Sequence, residues 1–230
     1  SGINGPQTHR SKPYYVGGMY NISHSPQSHS LSLYVDPDQY FESHPEYFSM
    51  NAQGERFRPE GKTMRGSLCM SNPDVARITL ESLQGMIRRD RKERPREEWP
   101  FLYDISILDA SPFICRCPDC EKITQEEGSE CGLLLRYINF VARGIGKEYP
   151  ELILRTFAYS ATRIQPKITR PEKNVLLQLC DEFPVSDAFR PLTSEFNRQR
   201  LAVLKKCQSL GAQMMIWDYW NLGNQYVDPP

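Results

Sequence analysis

Short apolar segments alternate with amphipathic segments from about residue 70 onward, and this alternation restricts the folds that the chain can adopt. Each apolar segment is rich in β-branched or aromatic residues and has the length of a buried strand. Four segments have this character: 101–108, 152–159, 174–180 and 213–219. A weaker candidate at 14–20 contains two adjacent glycines, which weaken a strand or mark a bulge.

The segments between these strands have the spacing of helices. In 131–148 apolar residues recur every three or four positions, which places them on one face of a helix. A second helix is predicted to begin at Pro73, because Asn72 can cap it and proline suits the first turn. A third is predicted over 191–209, since Gly211 follows it and glycine favours helix ends. Apolar strands that alternate with helices indicate a parallel sheet.

Two architectures have this order of elements, a doubly wound open sheet and a (β/α)8 barrel of the TIM type. The sequence has no glycine-rich phosphate-binding loop, which is the usual marker of the open sheet. Polar and aromatic residues instead follow the predicted strands, where TIM barrels carry their functional residues. We therefore predict an α/β fold with residues 1–230 as a single TIM-like barrel domain. Four or five strands are fewer than eight, so we expect the barrel to be incomplete in this chain.

Composition argues against two classes of partner. The 28 basic residues are balanced by 28 acidic ones, whereas a nucleic-acid-binding surface needs an excess of positive charge. No apolar stretch approaches the roughly 20 residues that span a bilayer, so we expect no membrane insertion. The first residues do not form a signal peptide and no closing element follows Asp228, so we expect a piece excised from a longer protein.

Asp109 is the best candidate for a catalytic residue. It ends a predicted buried strand, where a carboxylate must point into a cleft or find a partner. An acid in such a place can donate a proton to a leaving oxygen. The alternative is that Asp109 accepts hydrogen bonds from the backbone of the following loop.

Aromatic residues cluster around the end of the last predicted strand. Trp217, Asp218 and Tyr219 lie there, and Tyr159 ends an earlier strand. Aromatic rings stack on the apolar faces of pyranose rings, while carboxylates bind sugar hydroxyls. These residues favour a carbohydrate site, and packing in the core is the alternative for at least one of the rings.

Four cysteines lie close together in the sequence. They are Cys115, Cys117, Cys120 and Cys131. Four thiolates at this spacing could bind zinc in a tetrahedral, structural site. The alternatives are a local disulfide with a free thiol, or a packed loop. The other three cysteines lie in apolar surroundings and are predicted to be buried thiols. These three are Cys69, Cys180 and Cys207.

Six segments of the chain resemble, in the same order, segments of a bacterial family called domain of unknown function 4838. The segments are 44–48 (HPEYF), 68–73 (LCMSNP), the stretch around Asp109, the CxCxxC of 115–120, 174–180 (NVLLQLC) and 216–219 (IWDY). The resemblance extends from about His29 to the C-terminus.

This resemblance implies a TIM-like barrel related to hexosaminidases and α-glucuronidases, usually in exported proteins with several domains. It therefore implies an extracellular or periplasmic location. Related members are endo-β-N-acetylglucosaminidases, in which the acetamido oxygen of the substrate attacks the anomeric carbon. The implied function is a retaining, substrate-assisted glycoside hydrolase for N-acetylhexosamine-containing glycans, which needs no cofactor for catalysis.

The resemblance also implies roles for particular residues. Asp109 matches the acid at the strand end, and Asp218 and Tyr219 match a late strand-end motif that would line the sugar subsite. His29 and His44 match histidines of the family, and we expect both to contact substrate.

Leu108 departs from the family pattern, which has a polar residue, commonly asparagine, at this position. Hexosaminidases place two polar catalytic residues side by side here, so the partner of Asp109 would have to come from another strand. Leu108 thus favours the alternative function, a barrel without catalytic activity that binds glycan or serves as a scaffold.

Overall fold

The computed structural model describes residues 29–59, 66–109, 114–181, 191 and 193–218. These residues contain a sheet of four parallel strands, whose order in the sheet follows the order in the chain. The strands are β1 (Leu102–Asp104), β2 (Ile153–Ala158), β3 (Val175–Asp181) and β4 (Gln213–Asp218). The predicted α/β class and the four main strands are confirmed, although β1 is shorter than predicted. The weak candidate at 14–20 lies outside the described residues.

Six α-helices accompany the sheet in the described part of the chain. They are α1 (Leu31–Tyr34), α2 (Pro37–Tyr40), α3 (Pro73–Glu93), α4 (Pro118–Glu127), α5 (Glu130–Glu148) and α6 (Arg198–Ser209). Short 3₁₀ helices occur at Pro45–Tyr47, Arg96–Glu98, Ser160–Arg163 and Glu195–Asn197. The helix predicted over 191–209 therefore begins later, after one of these 3₁₀ turns. Among the helices described, none combines the length and apolar character needed to cross a membrane.

Helices α3 and α5 cover one face of the sheet. Side chains alternate between the two faces along a strand, and residues in register on parallel strands point to the same face. Three residues in register on β1, β2 and β3 pack in one hydrophobic core with the apolar residues of α3 and α5. These three are Tyr103, Leu154 and Val175.

Helix α6 covers the same face further along the sheet. Leu177 and Leu179 alternate in phase with Val175, and both pack against Cys207 of α6 and Leu210 at its end. All three long helices therefore lie on one side of the sheet. A doubly wound sheet differs in this respect, because its helices cover both faces.

The opposite face carries buried polar side chains. Asp104 on β1 and Arg155 on β2 are in register, and the Arg155 Nε atom donates to Asp104 Oδ2 at 2.9 Å. Their side chains are only 1% and 3% exposed. The side-chain amide of Gln178 on β3 is also buried, and it has no hydrogen-bond partner among the described residues. This face therefore combines buried polar side chains with buried apolar ones, among them Leu102, Phe157 and Leu176.

We expect Asn72→Ala to lower the free energy of unfolding by about 1 kcal/mol. The Asn72 side chain accepts a hydrogen bond from the backbone N–H of Asp74 at 2.9 Å, and Pro73 occupies the first position of α3. Alanine would leave that N–H without its acceptor. Urea denaturation measures the change, and Asn72→Asp, which keeps an acceptor, should lose only a few tenths of this amount. An equal loss in both variants would contradict the capping role.

Candidate functional site

Asp109 lies beyond the carboxyl end of β1 and meets two ring-bearing side chains there. The hydroxyl of Tyr159, which follows β2, donates to Asp109 Oδ1 at 2.8 Å. The Nε2 atom of His29 lies 3.9 Å from Asp109 Oδ2. Because the strands are parallel, their carboxyl ends share one edge of the sheet, which brings together residues 50 positions apart. We call Asp109, Tyr159 and His29 the strand-end cluster.

The backbone around β1 fixes the position of His29. Its N–H donates to Ser106 Oγ at 2.7 Å, and its Nδ1 atom lies 2.8 Å from the carbonyl oxygen of Ile107. A carbonyl oxygen only accepts, so Nδ1 carries a proton, and in the neutral ring Nε2 is an acceptor directed towards Asp109. His29 has φ +57°, a left-handed conformation that is uncommon for a residue other than glycine.

Aromatic rings pack against one another within and beside the strand-end cluster. The ring of Phe157 meets the His29 ring edge-on, with centroids 5.7 Å apart, and the His29 and Tyr159 rings are 6.1 Å apart. On its other side Phe157 lies beneath the Arg155 guanidinium, 5.5 Å from its Cζ atom. Asp109 itself is 51% exposed at its side chain. The arrangement is a solvent-accessible carboxylate that accepts a hydrogen bond from a phenol and lies beside aromatic rings, so it offers a polar ligand a hydrogen-bonding group.

The residue beside Asp109 does not contribute to this cluster. Leu108 is 5% exposed and belongs to the hydrophobic core. No polar group therefore stands at position 108, as the sequence indicated.

The remaining residues predicted at the sugar site lie in different places. Trp217 is near the end of β4, 44% exposed, and is in register with Cys180 of β3. It lies at the same edge of the sheet as Tyr159, with β3 between their strands. Asp218 is the last residue of β4 and is the register partner of Asp181, a strand-end acid that the sequence analysis did not single out. Tyr219 lies outside the described residues.

His44 makes a separate set of contacts. Its Nδ1 atom is 3.0 Å from Glu46 Oε1, and its ring stacks on Tyr47 with centroids 4.6 Å apart. The Tyr47 carbonyl accepts from the backbone N–H of Cys69, so this region adjoins the cysteines. The role of His44 in substrate binding stays a prediction.

Four buried cysteines converge at a second candidate site. They are Cys69, Cys115, Cys117 and Cys120, and their Sγ atoms all lie within 4.8 Å of one another. The Cys69 sulfur is 3.6 Å from that of Cys117 and 3.9 Å from that of Cys120. None of the seven cysteines, all of which lie among the described residues, is joined to another by a disulfide. The group could bind a metal ion, and we call it the cysteine cluster.

The fourth member corrects the sequence prediction, which had Cys131 in place of Cys69. Cys131 lies in the first turn of α5, fully buried, and burial raises the pKa of its thiol to about 12. Cys69 was predicted to be an isolated buried thiol. Cys69 and Cys117 are 48 positions apart, and no local spacing connects them.

Several polar groups contact the sulfur atoms of the cysteine cluster. The backbone N–H of Met50 donates to Cys115 Sγ at 3.3 Å, and Arg56 Nη1 lies 3.7 Å from the same sulfur. The Cys120 thiol in turn donates to the hydroxyl oxygen of Ser71 at 3.0 Å. Hydrogen bonds from Cys115 and Cys120 lower the pKa of Cys69 far below its ordinary value, so the cluster favours at least one thiolate.

Similarity to known proteins shows the family of this chain. No curated protein matched the sequence. A family model described as a domain of unknown function, DUF4838, matches residues 5–229, which is almost the whole chain. The resemblance seen in the separate segments is therefore confirmed over the chain as a whole, and the protein belongs to the DUF4838 family.

Proposed function

We propose that this chain carries the sugar site of a glycoside hydrolase for N-acetylhexosamine-containing glycans, with a retaining, substrate-assisted mechanism. The observation that supports it is the strand-end cluster, in which Asp109, Tyr159 and His29 meet at the carboxyl edge of a parallel sheet. Carbohydrate enzymes built on β/α barrels place their acids at this edge. The protein would be exported and would carry further domains.

The proposed fold is a (β/α)8 barrel of which β1 to β4 are four successive strands. Two features support it: the strands follow one another in chain order, and α3, α5 and α6 all lie on one face. The other face would then be the barrel interior. Its buried Asp104–Arg155 pair and the amide of Gln178 suit such an interior, which is closed by side chains from the facing strands.

In this mechanism Asp109 is the proton donor. The acetamido oxygen of the substrate attacks the anomeric carbon, the bond to the leaving oxygen breaks, and Asp109 transfers its proton to that oxygen. The Tyr159 hydroxyl, 2.8 Å from Asp109 Oδ1, stabilises the carboxylate that remains. A second carboxylate, from a strand other than β1, would orient the acetamido group.

Hydrolysis of 4-nitrophenyl N-acetyl-β-D-glucosaminide tests this assignment. We expect Asp109→Asn to lower kcat/KM by about 100-fold or more, because the amide cannot donate the proton. Tyr159→Phe should lower it by about tenfold. The matched control is Glu151→Gln, which neutralises an exposed acid just before β2, at the opposite edge of the sheet. If Asp109→Asn stays within about threefold of the parent, a change below 1 kcal/mol, the assignment is wrong.

A second candidate function is a barrel without catalytic activity that binds glycan. The observation that favours it is the burial of Leu108 in the core, which removes the polar neighbour expected beside a hexosaminidase acid. Calorimetry with N,N′-diacetylchitobiose distinguishes the two. Binding that Asp109→Asn weakens, with no release of monosaccharide, would support the binding protein. Binding accompanied by release would support the enzyme.

A further inference from the structure

We propose that Cys69, Cys115, Cys117 and Cys120 bind one Zn²⁺ ion in a closed, structural site. The ligand set comes from two parts of the chain. Cys69 precedes α3, whereas the other three lie in the segment after β1 and in the first turn of α4. This site is separate from the strand-end cluster, and the proposal does not depend on the sugar chemistry.

The distances between the sulfur atoms fit a single tetrahedral ion. Zinc–sulfur bonds of about 2.3 Å place the corners of a tetrahedron about 3.8 Å apart. The Cys69 sulfur is 3.6 Å and 3.9 Å from two of the others, and all four lie within 4.8 Å of one another. A disulfide would bring two sulfurs to about 2.05 Å. The four atoms are therefore spaced as ligands rather than as bonded pairs.

The chemistry of the ligands selects the metal and its role. Four thiolates favour soft or borderline ions over Mg²⁺ and Ca²⁺, and tetrahedral S₄ geometry is typical of zinc. Four cysteine ligands leave no open position for water or substrate, so the site is structural.

The surroundings compensate the charge of such a site. Four thiolates and Zn²⁺ carry a net charge of about −2. The Met50 N–H and the Arg56 guanidinium both face Cys115, and Arg56 also donates to the Phe48 carbonyl at 2.7 Å. Donors of this kind orient and stabilise metal ligands.

A bound ion would tie together two segments that are distant in the sequence. Cys115 lies six positions after Asp109, and its sulfur is fixed from the other side by Met50. Zinc at this point would anchor residues 115–120 to Cys69. Its loss should therefore lower the stability of the folded chain, whether or not the chain hydrolyses glycans.

Metal analysis of the purified chain tests the proposal. We expect one zinc per chain in the parent and less than about 0.1 in Cys69→Ser. Cys131→Ser is the matched control, since it removes another buried cysteine, one that sequence spacing alone would place in the site. It should keep one zinc. The proposal would be overturned if Cys69→Ser kept its zinc, if Cys131→Ser lost it, or if the parent contained iron in place of zinc.

A titration of the metal-free parent with Co²⁺ covers the case in which Cys69→Ser does not fold. The visible absorption of tetrahedral cobalt–thiolate should saturate at one equivalent, and zinc should abolish it. Removing zinc with a chelator should lower the midpoint of thermal unfolding by roughly 10 °C. If this absorption is absent, the proposed site is wrong. If removal of one bound zinc leaves the midpoint of thermal unfolding unchanged, the structural role is wrong. Neither readout depends on glycan hydrolysis.

Discussion

Arg155→Met is expected to lower the free energy of unfolding by about 3 to 5 kcal/mol, because it leaves the Asp104 carboxylate buried without its cation. The two side chains are almost fully buried, and the Arg155 Nε atom donates to Asp104 Oδ2 at 2.9 Å. The hydroxyls of Ser30 and Ser106 donate to the other carboxylate oxygen, at 2.8 and 2.5 Å. These hydroxyls offset only part of the charge. Urea denaturation at pH 7 measures the loss.

Two controls distinguish the effect of a buried ion pair from that of an exposed ion pair. Arg143→Met removes an exposed pair with Glu172, whose atoms are 2.8 Å apart, and should change stability by no more than about 0.5 kcal/mol. The double variant Arg155→Met/Asp104→Asn should recover part of the loss, since no buried charge remains. A loss in Arg155→Met as small as that in Arg143→Met would show that water reaches the Asp104 carboxylate.

Gly132→Ala is expected to lower the free energy of unfolding by about 2 to 3 kcal/mol. A methyl group at this position in α5 would lie 2.2 Å from the Cβ atom of Glu127 and 2.3 Å from its Cγ atom. Glu127 cannot move aside easily. Its carboxylate accepts from the backbone N–H and the hydroxyl of Thr169, at 2.9 and 2.6 Å, and from Arg136 Nε at 2.7 Å.

Gly85→Ala in α3 is the matched control, because a methyl group there would have no heavy atom within 4 Å. It should raise the free energy of unfolding by about 0.5 to 1 kcal/mol, since alanine favours the helix interior over glycine. The two substitutions are chemically identical and should have opposite signs. A stabilising effect of Gly132→Ala would mean that the α4–α5 junction is looser than its hydrogen bonds indicate.

Much of the fold was predictable because local patterns determine it. Asn72 followed by Pro73 is a local signal for a helix start, and α3 begins there, while the apolar run at 213–218 forms β4 as its composition indicates. The strand predicted over 101–108 ends early for a reason that the local pattern does not contain. The carbonyl of Ser106 accepts from the backbone N–H groups of Ser30 and Leu31, so the chain pairs there with the 29–31 segment.

The candidate sites differ in how far sequence could predict them. Asp109 and Tyr159 were each predicted at the end of a strand, and because the strands are parallel, those ends share one edge of the sheet, where the two side chains are in contact. Cys69 was missed because its membership of the cysteine cluster depends on tertiary contacts, in which Phe48 pairs with Leu68 and the Met50 N–H meets Cys115. Spacing along the chain favoured Cys131, but Cys131 is buried in the first turn of α5 and is not among the four cysteines that converge.

The order of the strands also determines how much conformational entropy the unfolded chain loses when the strands pair. Leu154 pairs with Val175, 21 positions further on, and the connection contains a 3₁₀ turn but no α-helix. Leu102 pairs with Ile153 across 51 positions. The entropy of loop closure grows with the logarithm of loop length, so closing the shorter loop costs about 0.8 kcal/mol less. In the denatured ensemble β2 and β3 therefore meet more often than β1 and β2. Pairing at the centre of the sheet costs less chain entropy than the pairing of β1 with β2.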